Sequence, residues 1–79
     1  MTRFQIRLSA TADICAFVTA ATRCPVDVDV VSGRYTVDAK SIMGLFSLKL
    51  SEPMQVHVYG SEQDGADFKT AVAEFLAAE

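Results

Sequence analysis

Four short stretches of this sequence alternate apolar and polar residues, and that alternation limits the fold more than any other feature. In Arg3–Leu8, Phe4, Ile6 and Leu8 share one side while Arg3, Gln5 and Arg7 share the other. A period of two marks a strand with one buried and one wet face. Val26–Ser32 repeats it, with Val28 and Val30 opposed to Asp27, Asp29 and Val31. Tyr35–Ala39 is a third strand. Met54–Tyr59 is a fourth, setting Val56 and Val58 against Gln55, His57 and Tyr59. Sheets wet on one face are typically antiparallel. The second and third strands are two residues apart, at Gly33-Arg34, which predicts a tight hairpin with Gly first. That register pairs Val30 with Val37 and keeps the apolar face continuous.

Between the strands the period changes. Ile14, Phe17, Val18 and Ala21 fall on one helical stripe. Ser9 or Thr11 is placed to cap this helix, and Asp13 suits the positive end of its dipole. Pro25 stops it. Ser41 opens a helix of one to two turns through Phe46. Phe68, Ala71, Val72, Phe75 and Leu76 predict a last helix, started by Glu62, Asp64 and Asp67 and uninterrupted to the end. The order β-α-β-β-α-β-α, with helices covering one face of an antiparallel sheet, is a two-layer α+β sandwich. Seventy-nine residues allow one such domain, spanning 1–79. With 51% hydrophobic residues, the chain can build a core.

Composition also removes function classes. A net charge of −3 makes a poor nucleic-acid binder. No apolar run reaches membrane-spanning length. The alternating N-terminus does not resemble a signal peptide, so a cytoplasmic location is expected. Cys15 and Cys24 form no CxxC pair and, with His57, no zinc spacing. No metal or cofactor is expected. Both thiols are expected to be free and to fill apolar gaps. Thiol chemistry at Cys15, near a helix start, is the weaker alternative. The chain has no paired carboxylates, nucleophile–base pair or Gly-rich phosphate loop, so an enzyme is not expected. A small binding domain of unrelated function stays open.

Ala39-Lys40-Ser41-Ile42-Met43-Gly44-Leu45-Phe46-Ser47-Leu48 closely resembles the central motif of HPr phosphocarrier proteins, roughly A-K-S-[IL]-M-G-[VL]-M-S-L. The element order is similar over nearly the whole chain, although only this decapeptide is specific. The resemblance implies sheet order 1-4-2-3 with three helices on one face. It also implies partners from the bacterial sugar phosphotransferase system. HPr carries phosphate on a histidine in a G-L-H-x-R-P-A motif after the first strand. Here Leu8-Ser9-Ala10-Thr11-Ala12-Asp13-Ile14 holds no His, Arg or Pro and is shorter. Asp13 would oppose an incoming phosphate. The only histidine, His57, is expected on the wet sheet face near Arg3, Arg7 and Asp29, where a solvated side chain is the ordinary outcome.

Ser41 matches the HPr serine that a dedicated kinase/phosphorylase modifies in low-GC Gram-positive bacteria, giving a product that binds a transcriptional repressor. A plain helix cap is the competing reading of Ser41. Lys40, Ile42, Met43 and Phe46 match the family's partner-binding surface. Phe46 stands where Met is usual, and Ile42 and Met43 are expected to be more exposed than it. HPr paralogues in catabolite repression lack the histidine and keep the serine. The expected function is therefore that of a regulatory or degenerate HPr-like protein acting by contact through Ser41–Phe46. Phosphate transfer through a non-standard acceptor is the alternative.

Overall fold

The structure, a computed structural model, describes residues 1–49 and 52–77. The strands are β1 (Thr2–Ile6), β2 (Val28–Ser32), β3 (Tyr35–Asp38) and β4 (Met54–Val58). The helices are α1 (Thr11–Arg23), α2 (Ile42–Phe46) and α3 (Glu62–Ala71), followed by a 3-10 turn, Ala73–Phe75. The strands form one antiparallel sheet in the order β1-β4-β2-β3. This is the architecture implied by the HPr resemblance.

Alternation sets the two faces. Phe4, Val56, Val30 and Val37 stand in register across all four strands on the helix side. The first three are buried and Val37, on the outer strand, is half-buried. Arg3, His57, Asp29 and Asp38 form the neighbouring row on the open side. The β2–β3 hairpin has the expected register, Val30 opposite Val37. Gly33 has φ +59°, the left-handed region that a two-residue hairpin needs and glycine adopts freely.

Helix α1 lays Ile14, Phe17 and Ala21 on the sheet, and all are inaccessible to solvent. Helix α3 adds Phe68, whose ring meets Phe17 edge-on at 5.7 Å. It comes close to β1 because residue 65 is glycine: a Cβ there would collide with the Thr2 hydroxyl. Among the described residues every buried hydrophobic belongs to one cluster.

The last helix departs from the continuous helix its apolar stripe predicts. It ends at Ala71, which is exposed, and the backbone turns at Val72. Phe75 still enters the core. Leu76 instead pairs with Ile6 as a β-bridge. The Arg7 N–H donates to the Phe75 carbonyl (2.8 Å), and the Ala77 N–H donates to the Gln5 carbonyl (2.9 Å). Unpaired strand-edge groups invite pairing with another chain, and this segment takes up two of them at the end of β1, the Gln5 carbonyl and the Arg7 N–H. A straight helix would leave them bare. Residues 78 and 79, which the predicted helix includes, lie outside the described residues.

Candidate functional site

The α2 surface is built on a sharp turn after β3. Asp38 accepts through Oδ1 from the Lys40 N–H (2.8 Å), and its carbonyl accepts from the Ser41 N–H (3.0 Å). This local bond pattern fixes the chain before the helix starts. Ser41 then caps α2, its Oγ accepting from the Gly44 N–H at 3.2 Å. Gly44 leaves room for that bond, since a Cβ there would lie 3.3 Å from Ser41 Oγ and 3.2 Å from Val37 Cβ. Ser47 closes the helix, donating its hydroxyl to the Gly44 carbonyl at 2.6 Å.

Helix geometry explains which side chains reach solvent. Leu45 points into the core and is buried. At about 100° per residue, Ile42, Phe46 and Met43 lie roughly 60°, 100° and 160° away from Leu45 around the axis. Their exposures follow the same order: 38%, 45% and 76%. Met43 is therefore the outermost, as expected, but Phe46 is more exposed than Ile42, contrary to the sequence reading. Phe46 therefore adds to the exposed apolar surface instead of filling the core.

Lys40 is half-buried, and its ammonium donates to the Cys24 carbonyl at 3.0 Å. A cation at the end of α1 also suits the helix dipole. Lys40 thus ties α1 to α2. Asp38, Gly44 and the Cys24 carbonyl do not stand out in the sequence. A signal for Asp38 exists, because an Asp three residues before a helix cap can offer its carboxylate to the N–H two residues on, which sets the turn.

The start of α1 is organised differently from the sequence expectation. Ala10, not Ser9 or Thr11, is the cap residue. Asp13 reaches back from the first turn, its Oδ2 accepting from the Ser9 N–H (2.9 Å), the Ala10 N–H (3.2 Å) and the Ser9 hydroxyl (3.3 Å). The Ser9 backbone bond is the main force holding its carboxyl below the ordinary 3.8; desolvation opposes it, and the bonds from the Ala10 N–H and the Ser9 hydroxyl assist it. Negative charge already occupies this helix end.

His57 stands on the open sheet face, with Arg3 opposite on β1 and Asp29 opposite on β2. Its Nε2 lies 2.8 Å from Gln55 Oε1. Arg7 is not part of this group, being beyond the residues that β1 pairs with β4. The neighbouring Tyr59 phenol is raised above 10.0, chiefly by the nearby Asp29 carboxylate. Cys24 is buried, but Cys15 is exposed and fills no gap, because it falls beside the apolar stripe of α1 and not on it.

The protein-family model described as the PTS HPr component phosphorylation site matches residues 12–78. The chain belongs to the PTS-HPr family. The match starts inside α1, so the loop preceding that helix falls outside it. Among solved structures, the phosphocarrier protein HPr of Bacillus anthracis str. Ames is 25% identical, with a TM-score of 0.77 and 96% of each chain covered. HPr-C-His from Thermoanaerobacter tengcongensis is 23% identical, with a TM-score of 0.79. That alignment covers 94% of this chain and 89% of the other, and it shows a shared fold. No curated protein matches by sequence. Within the PTS-HPr family, this member carries its single histidine on β4.

Proposed function

We propose that this PTS-HPr family member is a regulatory protein that works by contact through Ser41–Phe46, with phosphorylation of Ser41 as its switch. The observation that carries this reading is the exposed trio of Ile42, Met43 and Phe46 directly after a serine cap. An exposed apolar surface with a methionine at its outermost point adapts well to a protein partner. Phosphate on Ser41 would add nearly two negative charges at the edge of that trio. Its oxygens could take over the bond from the Gly44 N–H.

Ordinary phosphate transfer has less support. The segment before α1 has no histidine, and Asp13 fills the end of that helix. The partners that fit are a serine kinase/phosphorylase, a transcriptional repressor and other phosphotransferase components, in the cytoplasm. The protein itself catalyses nothing in this scheme.

The deciding experiment is incubation with an HPr serine kinase and ATP. Wild type should become labelled and Ser41→Ala should not. An unlabelled wild type sinks the switch. A parallel incubation with enzyme I and phosphoenolpyruvate should leave no acid-labile phosphate, and such phosphate on His57 would reinstate the carrier role.

A further inference from the structure

The sheet has two edges, and the two are treated differently. On β1, residues 75–77 take up the Gln5 carbonyl and the Arg7 N–H. On β3 the backbone pattern leaves the middle of the outer edge open. The Ala39 N–H donates to the Val28 carbonyl (2.9 Å), and bonded pairs alternate along an antiparallel ladder. Val37 and Tyr35 therefore bond inward, to Val30 and Ser32, while Thr36 and Asp38 turn their backbone groups outward. The Asp38 carbonyl is taken by the Ser41 N–H at 3.0 Å. Among the described residues nothing bonds the backbone of Thr36, and Thr36 is exposed. The usual guards of an edge are missing as well: Tyr35–Asp38 contains no proline or lysine, and its register with β2 is unbroken.

This edge is complementary to itself. An antiparallel partner with the same sequence, centred on Thr36, sets Thr36 against Thr36 of the second copy. Tyr35 then faces Val37 of the second copy, and Arg34 faces its Asp38, each pairing occurring twice. Hydroxyl, aromatic–β-branched and opposite-charge pairs are the favourable kinds across strands. A shift of the register by one pair sets Thr36 against Asp38 or against Arg34 and leaves the charges unmatched. Arg34 and Asp38 are both exposed, and neither forms an ion pair among the described residues. Tyr35, 70% exposed, and the half-buried Val37 offer apolar area for the contact to cover.

We infer that β3 pairs antiparallel with β3 of a second copy of this chain, about a two-fold axis at Thr36. The Thr36 N–H of each copy donates to the Thr36 carbonyl of the other, and the two sheets become one. Such a contact is isologous and closes at two copies. It keeps the helix sides together, so the two α2 surfaces lie on the same side of the joined sheet. With the Asp38 carbonyl already bonded, the shared ladder is short, and the dimer is a weak one that forms at high concentration.

Sedimentation equilibrium of the whole chain tests this. The apparent mass should rise from 8.5 kDa toward twice that value as concentration approaches about 1 mM. Thr36→Pro removes the outward N–H and no bond to β2, a place where an edge strand tolerates proline, and it should stay monomeric throughout. Its circular dichroism reports whether it is folded. Arg34→Glu, which places two carboxylates face to face, should raise the dissociation constant about tenfold, and it decides alone if Thr36→Pro does not fold. Arg34→Lys should keep the wild-type constant within about threefold. A wild type that stays monomeric overturns the inference. So does a dimer that Thr36→Pro and Arg34→Glu leave intact, or one that Arg34→Glu alone leaves intact, because the stated register requires both residues.

Discussion

Asp13 closes the N-terminal end of α1 by accepting a hydrogen bond from the backbone N–H of Ser9 at 2.9 Å. The contact gives an interior use to a place where negative charge is favoured. It also sets a pH dependence. The folded carboxyl titrates below the ordinary 3.8, so its contribution is complete above that value and is lost as pH falls through the lower folded value. The stability advantage of wild type over Asp13→Asn should therefore be constant near neutrality and shrink in acid. Urea unfolding of both proteins across the acid range measures it. A gap that widens in acid would contradict the assignment.

Ser41→Ala removes the cap on α2 and should cost ~1 kcal/mol. Ser41→Asp keeps an acceptor for the Gly44 N–H and should stay within a few tenths of a kcal/mol of wild type, the usual spread among good caps. Paired denaturation curves decide it. If both substitutions cost the same, the Ser41–Gly44 bond carries no stability.

Gly65→Ala forces a methyl group into the Thr2 side chain and should destabilise by about 1–3 kcal/mol, the usual range for overpacking. Thr2→Gly alone should be mildly harmful. Combining the two should recover part of the loss, a coupling that a double-mutant cycle reads directly. Simple additivity would mean that α3 shifts away instead of pressing on β1.

Tyr59 and Asp29 make a fourth measurable pair. Asp29→Asn removes the carboxylate that raises the phenol and should bring the Tyr59 pKa down toward 10.0. An ultraviolet phenolate titration shows this, provided Tyr35→Phe is used in both proteins to leave a single tyrosine.

Much of this fold is written as periodicity. Val28 and Val30 alternate with Asp29, and Ile14, Phe17 and Ala21 repeat at helical spacing; each pattern has one solution that buries its apolar side. Ser41 is legible too, as a capping residue before a short apolar run. The stripe ending in Phe75 and Leu76 misleads because local period competes with a tertiary demand. The outer edge of β1 needs partners, and pairing at Leu76 supplies them. The cap of α1 misleads for a related reason. Ser9 and Thr11 have the right chemistry, but Asp13 satisfies the same donors from inside the helix.

The clasp between residues 5–7 and 75–77 has a consequence in time. A ribosome delivers β1 first, and its outer edge stays bare while about seventy further residues are made. Domains complete themselves only when all their parts are available. The bonds at Gln5 and Arg7 therefore form only after the residues around Leu76 have emerged, so the clasp is among the last parts of the fold to close.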